Sequence, residues 1–358
     1  MKEPLASLFS PTSLGAIELS NRIVMAPMTR SRASAGDLVT DLHVEYYRQR
    51  ASAGLIVTEG VQPSIDGKGY CRTPGIYDQQ QVKAWREVTE AVHERGASIV
   101  CQIMHCGRVG HSDNKDSAAR HVAPSAIRCE EQIFTEKGMQ DMDMPEALSI
   151  DDIASVIADY RNAARNAIDA GFDGIELHCT SGYLPAQFLS TGTNQRDDQY
   201  GGTLENRLRF ILQVIEQVIA EIGADRVGIR ICPGNPFNGL HDDNPRETFK
   251  ALLQAIDSLG LAYVHVIRMP STGIDNVALV RDHFTGGVIV NDSYSTEEAA
   301  QVIAAQSASA VSFGRFFVSN PDLVDRIRHD APLAKMNPKT LYTPGAAGYI
   351  DYPAMQSD

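Results

Sequence analysis

Short apolar runs alternate with stretches of helical periodicity along the whole chain, and this alternation limits the possible folds more than any other feature. The predicted strands span residues 23–26, 55–59, 97–102, 174–177, 227–231, 263–266, 288–290 and 310–313. The predicted helices span residues 40–52, 79–95, 150–170, 204–222, 245–259, 276–283, 296–304 and 321–328. Eight strand-helix units without a composition break predict an α/β fold, a single (β/α)8 barrel over residues 1–358, and argue against two domains.

Two segments stand outside this repeat. Residues 14–19 have the pattern of a short hairpin, which we expect to close the bottom of the barrel. Residues 103–148 are too many for an ordinary connection between a strand and a helix, and they lack clear periodicity. We expect this insertion after the third strand to fold over the barrel mouth as a lid or small subdomain.

Charge and hydropathy narrow the class of partner. The net charge is −13 and the basic residues are scattered, which argues against a nucleic-acid or anionic-membrane partner and favours a small molecule. The apolar run within residues 1–9 is too short for a secretory signal, and no run approaches the ~18 apolar residues of a membrane span. The sequence therefore predicts a cytoplasmic protein.

The cysteines predict neither a disulfide framework nor a metal site. They contain no C-x-x-C pair and are interpreted as reduced thiols: Cys71, Cys101, Cys106, Cys129, Cys179 and Cys232. Cys101, His105, Cys106 and His111 lie close together in the sequence, but their spacing fits no standard zinc pattern. We therefore expect no bound metal.

Candidate site residues, many of them polar, cluster where the predicted strands end, which in such barrels is the catalytic face. They are Pro27, Met28, Thr29, Gly60, Gln102, His178, Ser181, Tyr183, Arg230, Gly314 and Arg315. Gly314 and Arg315 follow the eighth strand, where barrels commonly bind phosphate. As an alternative, Arg315 is an ordinary surface residue or ion-pair partner.

Three stretches resemble one family closely. Residues 21–30 are similar to the first strand of the old yellow enzymes, residues 174–178 to their fourth, and residues 194–207 to their hallmark stretch. The resemblance extends from Leu8 to Pro353. It implies bound FMN, NADPH or NADH as the reductant, and an electron-poor alkene as the oxidant. Enones, enals, maleimides and nitroalkenes, and for some members nitrate esters, are the implied substrates.

The resemblance also implies a cofactor site. Its residues are Pro27, Met28, Thr29, Gly60, Gln102, His178, Arg230, Asn291, Asp292, Gly314, Arg315 and Tyr342. Thr29 would donate to the flavin C4 carbonyl, Gln102 would meet the pyrimidine side, and Arg230 would stabilise the negative charge of reduced flavin. Gly60 would let the flavin ring approach the backbone. The alternatives are barrel-layer packing, a structural ion pair for Arg230 and a turn at Gly60.

The same resemblance implies the catalytic residues. His178 would donate a hydrogen bond to the carbonyl or nitro oxygen of the substrate, and Tyr183 would protonate the alkene carbon. The implied substrate pocket contains Tyr70, Met104, Ser181 and Tyr342. For the tyrosines, packing beneath the lid is the alternative.

This chain departs from the family pattern at several positions. Ser181 stands three residues after His178, where the family usually has asparagine or a second histidine. Its single hydroxyl predicts weaker binding of simple cyclic enones or a pocket for bulkier substrates, and N-capping of a helix is the alternative. Met104 and Leu341 replace common aromatic residues, which enlarges or softens the site. Asp292 is electrostatically awkward beside a phosphate, so we expect its carboxylate to point away.

Two other functions remain open at this point. A flavin-free barrel lyase or isomerase could use Arg315 to grip a phosphorylated substrate and His178 as acid or base, and it would be colourless. A flavin-binding protein with lost reductase activity would be yellow without turning over alkenes. The sequence lacks the cysteine cluster and C-terminal extension of the family's iron–sulfur members. It leaves open the natural substrate, the coenzyme preference and the choice between monomer and homodimer.

Overall fold

The computed structural model describes residues 3–355, so the predicted domain limits at 1 and 358 lie outside the described residues. The strands are β1 (Thr12–Leu14), β2 (Ile17–Leu19), β3 (Ile23–Met25), β4 (Leu55–Val61), β5 (Ser98–Ile103), β6 (Val122–Ala123), β7 (Gln132–Thr135), β8 (Gly138–Asp141), β9 (Glu146–Ala147), β10 (Gly174–Cys179), β11 (Val227–Ile231), β12 (Tyr263–Ile267), β13 (Val288–Asn291) and β14 (Ala310–Phe313). The helices are α1 (Asp41–Gln49), α2 (Gln79–His93), α3 (Ile150–Asp169), α4 (Leu184–Leu189), α5 (Leu204–Ile222), α6 (Pro245–Ile256), α7 (Asn276–His283), α8 (Thr296–Ala304), α9 (Arg315–Ser319) and α10 (Leu323–His329).

Eight parallel strands close the barrel in the order β3, β4, β5, β10, β11, β12, β13, β14 and back to β3. These are the eight predicted strands, and the (β/α)8 fold is confirmed. The eight predicted helices are present with small shifts at their ends. The structure adds α4 and α9, which the sequence did not predict because helices of six and five residues are too short to show a 3.6-residue period.

The predicted hairpin closes the bottom of the barrel. Strands β1 and β2 pair antiparallel, and Leu14, Ile17 and Leu19 are buried in one cluster with residues of the barrel strands. The Ala16 N–H donates to the carbonyl of Asp225 at 2.8 Å. Gly15 has φ +58°, and a side chain there would collide with that carbonyl. The hairpin therefore places its apolar face against the inner layer of the barrel.

The long insertion after β5 folds into small pieces of sheet. Strands β7 and β8 form an antiparallel hairpin, and β6 pairs with β9. Ile133 and Met142 pack with Met104 and Tyr183 in a small buried cluster, separate from the main core. Because Tyr183 follows barrel strand β10, this cluster attaches the insertion to the carboxyl ends of the barrel strands.

Among the described residues, no helix is long and apolar enough to cross a membrane.

Helix α3 shows how local sequence sets an element's limits. The Ser149 hydroxyl accepts from the N–H of Asp152, whose carboxylate in turn accepts from the N–H of Ser149. Gly171, with φ +88°, follows the end of the helix.

Candidate active site

A cavity of about 1020 Å³ opens at the carboxyl ends of the barrel strands. This volume is at the upper end of the range for small-molecule sites. The predicted site residues that line it are Pro27, Met28, Thr29, Tyr70, Gln102, Met104, His178, Tyr183, Arg315 and Tyr342. The predicted site residues outside its lining are Gly60, Ser181, Arg230, Asn291, Asp292 and Gly314. The strand ends thus bring most of the predicted residues to one cavity, and the others lie outside its lining.

His178, on β10, and Tyr183, just before α4, meet at the cavity. Their rings lie edge to face with centroids 4.8 Å apart. Burial, followed by the charge of Arg230, lowers the pKa of His178 to about 3, so the imidazole is neutral at physiological pH. Its Nδ1 is buried without a hydrogen-bond partner among the described residues. A neutral imidazole has one N–H to donate. In His178, Nδ1 makes no hydrogen bond to a protein group among the described residues.

Tyr183 contacts a second phenol. Its hydroxyl donates to the hydroxyl of Tyr70 at 3.1 Å, and the Asn238 side chain donates to the same Tyr70 oxygen at 3.5 Å. Burial raises the pKa of Tyr183 well above its ordinary value. Tyr183 therefore remains protonated at neutral pH and holds a proton at the cavity surface.

A buried polar network lies inside the barrel beside this cavity. Arg230 on β11 donates to Asn291 Oδ1 at 2.6 Å and approaches His265 Nε2 at 2.6 Å. His265 Nδ1 lies 2.8 Å from a carboxylate oxygen of Glu176, and Gln102 Nε2 donates to the other oxygen at 2.8 Å. The network thus links Arg230 to the cavity-lining Gln102 through His265 and Glu176.

The charges in this network balance one another. Burial alone would raise the pKa of Glu176, but His265, Arg230 and the Gln102 amide outweigh burial and lower it. Burial, followed by the charge of Arg230, lowers the pKa of His265 to about 4, so the ring is neutral. One cation and one carboxylate are therefore buried together, with His265 bridging them as donor to Glu176 and acceptor from Arg230.

Glu176 and His265 are functional residues that the sequence analysis does not predict. The signal was present, because each is an ionisable residue within an otherwise apolar predicted strand. Such a residue is seldom buried without a partner. What the sequence does not show is the register, which aligns His265 with Arg230 and Glu176 with Tyr263, two residues before His265, so that the Glu176 carboxylate reaches His265 Nδ1.

The donors and acceptors around the cavity fit a flavin. Arg230 supplies a buried positive charge suited to the negative charge of a reduced flavin. Gln102 gives its amide N–H to Glu176, which leaves the side-chain oxygen as an acceptor for a ring N–H. The half-buried Thr29 offers a hydroxyl in the same wall, and His178 has an unused ring nitrogen. The residues needed to hold FMN are therefore present together.

The structure corrects two details at the expected phosphate end. Asn291 uses its side chain inside the barrel, where it accepts from Arg230 and donates to the Ser312 carbonyl at 3.0 Å. Asp292 does not point away from Arg315, because its carboxylate lies 3.8 Å from that guanidinium. The Arg315 side chain is 74% exposed, so its pairing is weak and it can turn toward an anion. Gly314 precedes α9 and packs against Met28.

Gly60 and Ser181 lie outside the cavity lining. A side chain on Gly60 would meet Met104, with its Cβ 2.5 Å from Met104 Sδ, so Gly60 makes room for that methionine. Ser181 has φ +58°, and its hydroxyl accepts from Asn235 at 3.4 Å instead of lining the cavity. It does not cap α4, whose N-cap residue is Tyr183. The left-handed turn at Ser181 accounts for the direction of its side chain.

The described cysteines are free and buried. Within residues 3–355, no group of three or more His, Cys, Asp or Glu residues could hold a metal ion.

Comparisons with known proteins agree with this geometry. The model of the NADH:flavin oxidoreductase / NADH oxidase family matches residues 7–334. A probable flavin mononucleotide-dependent alkene reductase of Leishmania infantum is 42% identical, with 97% of each chain covered. The 12-oxophytodienoate reductase 1 of Oryza sativa subsp. japonica is 39% identical over 98% of this chain and 93% of the relative.

Solved structures give the same result. Morphinone reductase in complex with tetrahydroNAD superimposes with a TM-score of 0.93 at 42% identity, with 98% of each chain covered. The old yellow enzyme homologue from Zymomonas mobilis superimposes with a TM-score of 0.93 at 38% identity, over 97% of this chain and 99% of that one. The predicted resemblance is confirmed: this chain belongs to the NADH:flavin oxidoreductase / NADH oxidase family, together with the old yellow enzymes.

Proposed function

We propose that this protein is an FMN-dependent ene-reductase that takes electrons from NADPH or NADH and reduces activated C=C bonds. The observation that carries the proposal is the meeting of neutral His178 and protonated Tyr183 in one cavity, beside the buried Arg230. The family and the names of the relatives support the same chemistry. Enones, enals, maleimides and nitroalkenes are the proposed substrates, and nitrate esters are a further candidate class.

The chain's own residues divide into two sets. Thr29, Gln102 and Arg230 would hold the flavin ring, and Arg315 would meet the phosphate. When bound, reduced FMN supplies a hydride to the alkene. Arg230 would favour this cofactor because its guanidinium, held in place by His265 and Asn291, stabilises negative charge that develops nearby.

His178 polarises the substrate. Its N–H donates to the carbonyl or nitro oxygen, where negative charge develops as the C=C bond is reduced. Because the pKa of His178 is lowered to about 3, the ring donates as a neutral imidazole and does not transfer its proton. This separates the roles, since the residue that stabilises charge is not the residue that gives up a proton.

Tyr183 supplies the proton. The Tyr183 O–H, which donates to the Tyr70 oxygen at 3.1 Å in this structure, would turn to the substrate; its O–H bond breaks, a C–H bond forms at the substrate carbon, and Tyr70 would turn its own O–H to donate to the phenolate that remains. Burial raises the pKa of Tyr183, so the phenolate regains a proton readily from solvent. The β7–β8 hairpin lines the cavity, and we propose that residues 103–148 act as its lid within one FMN-binding domain.

The test is product formation from 2-cyclohexenone with NADPH and with NADH. Wild-type protein should form cyclohexanone, detected by gas chromatography. Tyr183→Phe should slow the reoxidation of reduced enzyme by the enone ~10²- to 10⁴-fold, the range for loss of a general acid. The same variant should be reduced by coenzyme at the wild-type rate. Equal enone rates in Tyr183→Phe and wild type would overturn the assignment of the proton donor.

A further inference from the structure

One wall of the active-site cavity comes from an irregular segment near the C-terminus. Residues 336, 338 and 339 and residues 341–344 line the cavity, yet the segment contains only one short turn of 3₁₀ helix, Pro338–Thr340. Tyr342 is 56% exposed. Neither regular hydrogen bonding nor deep burial fixes this wall, so its position has to come from other contacts.

Three arginines hold the segment through its carbonyl groups. Arg32 donates to the carbonyls of Leu341 at 2.6 Å, Thr340 at 2.8 Å, Ala347 at 3.0 Å and Gly345 at 3.3 Å. Arg30 donates to the carbonyls of Gly348 at 2.6 Å and Leu341 at 3.2 Å. Arg72 donates to the Tyr342 carbonyl at 2.8 Å. The segment's backbone acceptors are therefore satisfied by guanidinium groups instead of by a helix or sheet.

Burial and aromatic faces fix the two central arginines. Arg30 and Arg32 are 1% and 4% exposed. Their guanidinium carbons lie 5.1 Å and 4.7 Å from the ring centroid of Tyr349, which stacks on Tyr46 at 4.0 Å. A planar guanidinium with five N–H donors can serve several carbonyls while lying on a ring, which a lysine ammonium cannot do.

The same arginines belong to the cofactor side of the cavity. Arg30 and Arg32 follow Thr29 directly after the first barrel strand, and Arg32 also donates to the Arg30 carbonyl at 2.5 Å. Arg72 donates to the Ser31 carbonyl at 2.9 Å. One short stretch of backbone thus carries a predicted flavin contact, Thr29, and the arginines that hold another wall of the same cavity.

We propose that Arg32, supported by Arg30 and Arg72, is a positioning residue for alkene reduction. It fixes the distance between the Leu341–Tyr342 wall and the flavin side of the cavity, and so sets the size of substrate that binds. The role of Arg32 in substrate size rests on the proposed function, whereas its hydrogen bonds to residues 340–347 do not.

The test compares Arg32→Lys with Arg326→Lys. Arg326 is a matched control, because it donates to the carbonyls of Pro332 at 2.7 Å and Pro353 at 3.2 Å, on either side of the cavity-lining segment. The first measurement is tryptic cleavage after the exposed Lys339, which needs no activity. Arg32→Lys should be cleaved about tenfold faster than Arg326→Lys, the factor that corresponds to one charged hydrogen bond. Equal cleavage rates would contradict the claim that Arg32 fixes the position of the cavity-lining segment.

The second measurement is the steady-state reduction of N-phenylmaleimide. Arg32→Lys should raise KM about tenfold and leave kcat within about twofold, because wall placement affects binding more than chemistry. Unchanged KM would overturn the role in substrate size. If the wild type reduced no alkene while cleavage still differed, the proposed function would fail and the hold on the segment would stand.

If Arg32→Lys does not fold, the same two measurements on Arg72→Lys test the proposal. Arg72 contributes one hydrogen bond to this wall, and it also pairs with Glu136 on the lid hairpin. A smaller rise in KM and in the cleavage rate after Lys339 would support the proposal. Wild-type values of both would overturn it.

Discussion

Replacing Glu176 with glutamine should weaken both the fold and the cofactor site. The Glu176 carboxylate accepts from His265 Nδ1 at 2.8 Å, Gln102 Nε2 at 2.8 Å and the Tyr263 hydroxyl at 3.1 Å. Hydrogen bonds to a charged acceptor exceed neutral ones by about 1 kcal/mol each. Removal of the charge from all three bonds should therefore lower the free energy of unfolding by ~3 kcal/mol. Loss of the counter-charge to buried Arg230 brings the expected cost to about 3–5 kcal/mol.

In Glu176→Gln, the new side-chain NH₂ would face the Gln102 amide, which now donates to Glu176 Oε1. To avoid two facing donors, the Gln102 amide has to rotate and present its NH₂ to the cavity in place of its oxygen. Bound FMN would then lose an acceptor for its ring N–H, so we expect FMN to dissociate more readily. Release of FMN measured by fluorescence and unfolding in urea measured by circular dichroism check the two effects.

Tyr263→Phe is the matched control for this prediction. It removes one donor to the same carboxylate but keeps the charge and leaves Gln102 in place, so it should cost about 1.5–3 kcal/mol, less than Glu176→Gln. The reasoning fails if Glu176→Gln is no less stable than Tyr263→Phe, or if both variants retain FMN equally well.

The structure supports three further predictions. Burial raises the pKa of Glu59 from 4.5 to about 7, so its carboxyl is protonated more readily in the folded state. The free energy of unfolding should therefore fall by ~3 kcal/mol as pH rises from 4.5 to 7. Urea unfolding across this range should show a smaller dependence of stability on pH for Glu59→Gln. Gly60→Ala should displace Met104 and cost ~1–3 kcal/mol, and Met104→Ala in the same chain should recover part of this loss in thermal unfolding. Ser181→Asn keeps a backbone conformation that asparagine tolerates, and because this backbone turns the side chain toward Asn235 and away from the cavity, the variant should leave KM for 2-cyclohexenone nearly unchanged; a clearly lower KM would contradict this placement.

The barrel could be predicted from the sequence because its signals are local. Each strand is an apolar run and each long helix has a 3.6-residue period with end signals such as Ser149 and Gly171. Helices α4 and α9 carry no such signal at five or six residues. The insertion at 103–148 was recognised only as a segment without periodicity, since its short strands are defined by pairing across the β7–β8 hairpin.

The candidate site was predictable in composition but not in geometry. Residues that follow a strand, such as His178 and Thr29, point to the cavity because position along the chain fixes their place in a barrel. Ser181 could not be placed, because a left-handed backbone at a serine turns its side chain toward Asn235. The arginine contacts with residues 340–348 join positions about 300 apart in sequence, and no local pattern predicts them.

The most direct test of the central claim is an anaerobic absorbance titration of the purified protein, first with NADPH or NADH and then with 2-cyclohexenone or N-phenylmaleimide. We expect flavin absorbance that is bleached by the coenzyme and restored by the alkene, because the cavity would hold FMN beside the His178–Tyr183 pair. Flavin that bleaches but is not restored by either alkene would contradict the ene-reductase assignment. Protein that binds no flavin after reconstitution with FMN would contradict the cofactor site itself.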